Sequence, residues 1–284
     1  MIGTSAGAGP LFAAVVIGTV ACWQVETAWS ETCSVPIEHA GLTFPVDKVD
    51  AAWTCRLQPV VGDYTTANKI GPVRTALTES LYTYLLDRPP TAAALINRLD
   101  LGLYKAETRG PGLYWGNDGE GTEGLVHLLY HDRMFRIYYL EGTHHSRLLP
   151  SLTGKAVVLL RMKPVREPEG SQAMDTTLVS YRRVDNRFVS GLLSLLRPLI
   201  GGTVERKLVK GLEVVNRLGL EMRRHPDRVL FEAMDPPALD AADIAFLQRA
   251  RGLHWISWKF RMCETWRIGT CQPLTRCRPC SSNN

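Results

Sequence analysis

A long amphipathic helix, predicted over residues 203–226, constrains the fold of this chain more than any other feature. Apolar or small residues recur there at steps of three and four, which is one face of a 3.6-residue period. These residues are Val204, Leu208, Gly211, Leu212, Val215, Leu218, Gly219 and Met222. Thr203 is suited to cap the helix start, and Pro226 is expected to end the helix. Such a helix is roughly 30 Å long, so it needs a large apolar surface to cover.

Strand-like segments precede this helix, and two short helices are predicted ahead of them. The short helices cover residues 73–86 and 91–99. The strand candidates are 103–108, 113–115, 125–131, 134–141, 156–162 and 176–184. Of these, 125–131 and 134–141 are predicted to pair as a hairpin about the turn at 131–134. A further helix over 188–199 is expected to kink or end at Pro198, because the proline ring clashes with the preceding turn. Residues 229–231 are predicted as a closing strand or a loop.

The composition is that of a globular protein. Of the 284 residues, 45% are hydrophobic and 21% are charged, and the net charge is +5. This length accommodates one large domain or two modest ones. Lys and Arg do not form a dense stripe interleaved with aromatic residues, so nucleic-acid binding is not expected.

The first thirty residues resemble a targeting segment. Residues 11–23 are apolar or small throughout, which is short for a membrane span and suits the core of a signal peptide. Ala28 and Ser30 fit a cleavage site after residue 30, which predicts an exported protein close to a membrane. Because no Lys or Arg precedes Lys48, a buried N-terminal helix in a cytoplasmic protein is the alternative.

Three regions are predicted after this segment. Residues 31–70 are expected to form an irregular N-terminal arm, and residues 71–232 the folded domain. Residues 233–284 form a tail rich in Cys and Trp, which is expected to be disordered or a small accessory segment.

The seven cysteines avoid residues 56–262, where the core is expected. In an exported protein, Cys33 and Cys55 could form a disulfide bond that fixes the N-terminal arm, whereas in a cytosolic protein they are thiols. In the tail, Cys277 and Cys280 have the spacing of a metal knuckle, but the other cysteines are poorly spaced for a zinc site.

Other groups of residues do not support metal or hydrolytic chemistry. His127 and His131 are four apart on a predicted strand, which separates them by roughly 13 Å, too far for one metal ion. Asp118, Glu120 and Glu123 lie in a glycine-rich turn without the ligand spacing of a calcium loop. The sequence also lacks a phosphate loop, and no Gly-x-Ser-x-Gly nucleophile motif lies within the predicted folded domain, residues 71–232. No metal ion or cofactor is therefore predicted.

Two short helices, a run of antiparallel strands and a long C-terminal helix follow the order of the helix-grip fold. Residues 70–225, about half of the chain, resemble the START-like superfamily of polyketide cyclases/dehydrases and lipid-transport proteins. The segments that carry the resemblance are 174–186, 188–200 and 204–222. It implies an α+β fold with a curved antiparallel sheet wrapped around the long helix. The family usually has a strand before its first short helix, and residues 53–61, which contain Pro59, are a poor candidate for it.

The resemblance also implies an apolar cavity between sheet and helix that binds or carries a hydrophobic small molecule or lipid. Residues that could line such a cavity, if their faces point inward, are Trp115, Tyr138, Arg161 and Tyr181 on the strands and Leu208, Leu212 and Val215 on the helix. The sequence does not fix strand parity, so each of the four strand residues is equally compatible with an ordinary core or solvent-facing position.

Two functions of other classes stay open. One is a cyclase, dehydratase or hydrolase that uses His127, Tyr138 or Arg161 in the same cavity, which requires at least two of these side chains to converge. The other is an exported structural or interaction protein whose core is filled. The packing of the gap between sheet and helix distinguishes these alternatives.

Overall fold

An antiparallel sheet of seven strands is the centre of the fold. A computed structural model of the chain describes residues 33–145, 151–184 and 193–250, with side chains of the long helix from Glu205 onward. The chain first forms a two-stranded ribbon of β1 (Glu38–His39) and β2 (Leu42–Thr43). The strands of the seven-stranded sheet are β3 (Thr66–Thr75), β4 (Lys105–Gly110), β5 (Leu113–Asn117), β6 (Thr122–His131), β7 (Phe135–His144), β8 (Leu152–Arg166) and β9 (Gln172–Val184). The spatial order is β3-β9-β8-β7-β6-β5-β4, so β3 and β4 are the two edges and the sheet is open. The predicted α+β class and the β6–β7 hairpin are confirmed.

The helices cover both faces of this sheet. They are α1 (Ala51–Gly62), α2 (Glu79–Asp87), α3 (Pro89–Arg98), α4 (Leu193–Arg224) and α5 (Pro226–Met234). Residues 241–250 are also helical. Within the described helices, none has both the length and the apolar character needed to cross a membrane.

The two faces of the sheet carry different cores. On the inner face, Met162 and Met174 belong to one buried cluster with Leu218 and Met222 of α4. On the outer face, strand residues such as Val157 pack in a second cluster that includes three buried residues of α1. These α1 residues are Leu57, Val60 and Val61. Because side chains alternate along a strand, these two clusters show which face each residue of β7, β8 and β9 occupies. The register with β7 extends the assignment to β6.

Four glycines lie side by side across four neighbouring strands. Gly116, Gly124, Gly142 and Gly154 are in register on β5, β6, β7 and β8. A Cβ atom on Gly124 would fall on the carbonyl oxygen of Glu141 and 2.6 Å from the Cα of Gly142. By alternation, the missing side chains belong to the inner face. At Gly124, Gly142 and Gly154, the backbone of the neighbouring strand lies too close for a Cβ atom. The missing side chains allow a sheet to bend toward its inner face.

The region predicted as an irregular arm, residues 31–70, is mostly regular. Asp50 caps α1 by accepting a hydrogen bond from the Ala52 N–H at 2.8 Å. Pro59 lies near the helix end, where it removes one backbone bond and leaves the buried face intact. The disulfide bond between Cys33 and Cys55 joins the chain before β1 to this helix.

The strand expected before the first short helix is β3, which also takes the first residues of the helix predicted over 73–86. Its alternation is interrupted at Gly71-Pro72, where the register with β9 shifts between Ile70 and Val73. Pairing with a strand about a hundred residues away in sequence decides this element, so local periodicity misassigned it.

The long helix starts earlier than predicted. Helix α4 has 32 residues and continues through Pro198 and Thr203, so neither the break nor the cap is present. Pro198 is its sixth residue and removes one backbone bond near the start. Residues 188–192 of the predicted preceding helix lie outside the described residues.

Helix α4 ends before Pro226, as predicted, but the following segment is not a strand or loop. Pro226 is the first residue of α5, a position that suits proline because its missing N–H is not needed there. Val229 and Ala233, four residues apart, are the buried residues of this helix.

The helix at 241–250 is anchored to the short helices by one buried carboxylate. Asp243 accepts hydrogen bonds from the Tyr84 hydroxyl and the Thr91 hydroxyl, each at 2.5 Å. Its side chain is 3% exposed and pairs with the Arg88 guanidinium at 3.1 Å. Part of the predicted tail is thus folded, whereas residues 251–284, with its cysteines, lie outside the described residues.

This anchor is expected to weaken in alkaline solution. Burial and the Asp243 carboxylate raise the pKa of Tyr84 from 10.0 to about 12. A raised pKa means that the folded state favours the protonated phenol, so the Tyr84 contribution is complete below pH 10 and lost as the pH approaches 12. The urea midpoint difference between the native chain and Tyr84→Phe should shrink across this window. A difference that stays constant from pH 9 to 12 would contradict the assignment.

Candidate functional site

The candidate site is the inner face of the central strands β6, β7 and β8. It lies beside the part of α4 that contains Leu208 and Leu212. Five apolar inner residues of β6, β7 and β8 keep partial solvent exposure, whereas Leu160 and Met162 further along β8 are buried. The five are Val126, Leu128, Leu140, Ala156 and Val158. Their neighbours on the outer face are at most 1% exposed; these are Ile137, Tyr139, Val157 and Leu159. The centre of a seven-stranded sheet is thus closely packed on one face and less closely on the other.

Helix α4 shows the same gradient along its length. Val214, Leu218 and Met222 are buried in the cluster that holds the helix to the sheet. Leu208 and Leu212, one and two turns earlier, are partly exposed although they lie on the apolar stripe. The sheet and α4 are therefore in close contact near the C-terminal half of the helix and less closely packed beside Leu208 and Leu212.

A row of four residues, three of them polar, crosses this inner face. The residues are neighbours in register on four adjacent strands: Asn68, Ser180, Val158 and Tyr138. Among the described residues, the Asn68 Oδ1 and Ser180 Oγ atoms are buried without a hydrogen-bond partner. Burial raises the pKa of Tyr138. Buried polar atoms are nearly always satisfied in folded proteins, so this pair marks a place suited to water or a ligand.

Two arginines lie on the same face, on opposite sides of this row. Arg136, whose side chain is fully buried, places Nη2 2.7 Å from the Asp87 carboxylate. Arg182 follows Ser180 on β9 and pairs in register with Thr66 and Ala156. Burial lowers the pKa of Arg182, and the Asp118 carboxylate acts in the opposite direction.

A charged group connects the inner face to α4 near Arg182. The Lys207 ammonium lies 2.6 Å from the Asp118 carboxylate and donates to the Thr122 hydroxyl at 2.8 Å. The same hydroxyl is 3.0 Å from Nδ1 of His144. Burial, followed by the nearby Lys207 charge, lowers the pKa of His144.

The predicted site residues are divided between the two faces. Tyr138 lies on the inner face, toward the side covered by α4. Trp115, Arg161 and Tyr181 lie on the outer face, away from α4; the Tyr181 hydroxyl, for example, is 3.1 Å from Nδ1 of His39. A shift of one residue in parity exchanges the faces of a strand, and sequence alone does not reveal that parity.

The helix residues of the prediction lie on the apolar stripe of α4. Leu208 and Leu212 are the partly exposed pair beside the inner face. Val215 packs against the buried cluster. Helix periodicity therefore located the stripe, but it did not distinguish closely packed residues from loosely packed ones.

Sequence reasoning did not select the inner polar residues Asn68, Ser180, Arg182 and Arg136. The signal was present on β9, where the alternate positions from the buried Met174 lead through Thr176, Leu178 and Ser180 to Arg182.

The catalytic alternative required convergence of His127, Tyr138 and Arg161. His127 lies on the outer face, with its ring centroid 4.8 Å from that of Trp53. Arg161 also lies on the outer face, and Tyr138 lies on the inner face. The inner face thus carries only one of the three. Within residues 33–145, 151–184 and 193–250, no three His, Cys, Asp or Glu side chains are grouped to hold a metal ion.

A polar cleft of 610 Å³ also lies between α2 and the β6–β7 turn. Its lining cations are paired, since Arg133 bonds to Glu79 and Arg136 to Asp87. This pairing explains the cleft as a structural contact between a helix and a turn.

Comparison with known proteins gives distant structural likenesses. No family model matches the chain, and no curated protein sequence matches it. A conserved protein from Geobacillus kaustophilus is similar in structure, with 8% identity and a TM-score of 0.41 over 55% of this chain and 97% of that one. An uncharacterised protein from Rhizobium leguminosarum has 12% identity and a TM-score of 0.33, with the same coverage. These values do not identify a shared activity.

Proposed function

We propose that this protein binds or carries a hydrophobic small molecule or lipid between the inner face of the sheet and α4, in a helix-grip fold of the START-like superfamily. Support for the fold comes from the element order, since one strand, two helices, six antiparallel strands and a long helix follow one another. The long helix packs on one face of the sheet, and the glycine row permits that face to curve around it.

The observation that carries the proposal is the difference in packing between the two faces. Apolar side chains at the middle of a sheet are normally buried, as they are on the outer face here. The inner residues Val158 and Leu140 keep accessible surface although they lie on central strands. An apolar ligand that filled this space would bury that surface and gain roughly 25 cal/mol per Å².

The alternatives receive less support. A filled core predicts equal burial on both faces. An enzyme predicts convergent acid and base groups, whereas His127 and Arg161 lie on the face opposite Tyr138. Binding without chemistry accounts for a site that is largely apolar with a few polar groups.

Replacing Leu212 with tryptophan should obstruct the site. The larger side chain would project from α4 into the loosely packed space, and we expect at least a tenfold loss of affinity for a hydrophobic probe. Native mass spectrometry of the purified protein, with extraction of any molecule that accompanies it, identifies the ligand class and measures this loss.

Val209→Trp provides the matched control, because Val209 lies three residues away on the same helix and is 37% exposed. This variant should keep wild-type affinity. Equal affinity of the native chain, Leu212→Trp and Val209→Trp for the probe would place the ligand elsewhere. If no apolar molecule accompanies the purified protein and a saturating concentration of the probe does not bind, the filled-core alternative is favoured.

A further inference from the structure

We propose that the ligand is an amphiphile with an anionic head, and that Arg182 binds this head at the end of the inner face next to the glycine row, where the Lys207 ammonium adds positive charge. This inference rests on the proposed function and specifies its ligand class. The residues that carry it are Arg182, Lys207, Asp118, Thr122 and His144, which we call the cation cluster.

The first observation concerns the counter-charge of the Arg182 guanidinium. Among residues 33–145, 151–184 and 193–250, no hydrogen bond or ion pair joins this guanidinium to a side chain, and the Asp118 carboxylate acts on it only at a distance. Arg136 lies on the same face with a fully buried side chain, and it does form an ion pair, with Asp87. A guanidinium withdrawn from bulk water is stable only when anionic or polar oxygens surround it.

The second observation is that the nearest carboxylate is already engaged. Asp118 accepts hydrogen bonds from Lys207 at 2.6 Å and from the backbone N–H groups of Glu120 and Thr122 at 2.8 and 2.9 Å. It is close enough to influence the pKa of Arg182, but its hydrogen bonds go to these other donors. The Arg182 guanidinium can therefore bond with an additional anion.

The ion pairs of this region do not include Arg182. Lys207 and Lys210 pair with Asp118 and Glu120, so two cations face two carboxylates. A single carboxylate or phosphate monoanion would supply a counter-charge for Arg182. Because guanidinium groups form paired hydrogen bonds with both anions, Arg182 suits either head.

The third observation concerns what lies beside Arg182. The row of residues in register with it runs through Ala156 on β8, Leu140 on β7 and Val126 on β6. These are the apolar residues that keep partial exposure, and Leu208 is the residue next to Lys207 on α4. A molecule with its anion at Arg182 would thus lay an apolar chain along this row, which selects an amphiphile over a small inorganic anion.

Three probes with the same sixteen-carbon chain test the head group: palmitate, hexadecyl phosphate and 1-hexadecanol. Dissociation constants of the full chain are measured by displacement of the neutral dye N-phenyl-1-naphthylamine. We expect one or both anions to bind at least tenfold more tightly than the alcohol. The anion that binds more tightly identifies the head as a carboxylate or a phosphate.

Arg182→Gln should remove this preference for the anions and leave the affinity for 1-hexadecanol unchanged. Arg183→Gln is the matched control, because Arg183 is the next residue on β9, faces outward and bonds to the carbonyl of Pro59 at 3.0 Å. It should retain the full preference. Lys207→Gln should reduce the preference, and it serves as the second variant if Arg182→Gln does not fold.

Equal affinity of the native chain for all three probes would overturn the anionic head and leave the proposed function intact. An Arg182→Gln variant that weakens all three probes equally would also overturn it, because Arg182 would then only support the fold. Failure of every probe to displace the dye, or of the dye to bind, would overturn the proposed function and this inference together.

Discussion

Replacing Gly124 with alanine should destabilise the protein by about 3 kcal/mol, as expected for a core position that cannot accept a larger side chain. The added Cβ would meet the backbone of β7 at Glu141 and Gly142. Neither obstacle is a flexible side chain, so relief requires the two strands to separate. Because β6 and β7 lie in the interior of the sheet, that separation would break paired backbone hydrogen bonds on both sides.

The free energy of unfolding, measured by urea denaturation, tests this expectation. Gly62→Ala is the control, because nothing lies within 4 Å of a Cβ atom at Gly62. This control should change the unfolding free energy by no more than about 0.5 kcal/mol, as surface substitutions generally do. A Gly124→Ala protein as stable as the control would show that the glycine row is not required for the sheet.

Replacing Asp243 with alanine should cost about 3 kcal/mol, because it removes a buried acceptor shared by three donors. The Thr91 hydroxyl is buried and would lose its partner, and the Tyr84 hydroxyl and Arg88 would lose theirs. The contact surface between the 241–250 helix and the short helices should open as a result. Stacking of the Tyr84 and Phe246 rings, 3.5 Å apart, should be lost with it.

Amide hydrogen exchange and urea denaturation together measure this effect. We expect faster exchange across 241–250 and α3 as well as a lower midpoint. Asp235→Ala, at an exposed carboxylate, should leave both measurements unchanged. Unchanged exchange in Asp243→Ala would mean that apolar contacts such as that of Leu247 hold the helix without the carboxylate.

The sequence was informative wherever one element determines its own pattern. The stripe from Leu208 to Met222 predicted a helix against a sheet, and the turn near Asp132 predicted the hairpin of β6 and β7. Asp132 explains that turn physically, since its carboxylate accepts hydrogen bonds from the N–H groups of Met134 and Phe135, each at 2.7 Å.

Features that depend on distant pairing were not predictable in this way. The strand β3 is defined by β9, and the inward orientation of Arg182 is defined by which face α4 covers. The glycine row provides the clearest case, because its members lie on four strands and align only when every register is known. Alternation could assign residues to two sets, but only the helix packing shows which set faces the site.

The open sheet also leaves two strands without an outer neighbour, and both are poor templates for another chain. Strand β4 has six residues and carries the charges of Lys105, Glu107 and Arg109. Strand β3 is interrupted by Pro72, which has no N–H to donate, and by the register shift beside it. Short, charged or proline-containing edges resist edge-to-edge association. The protein can therefore keep an open sheet while avoiding the fibrous aggregation that exposed strands promote.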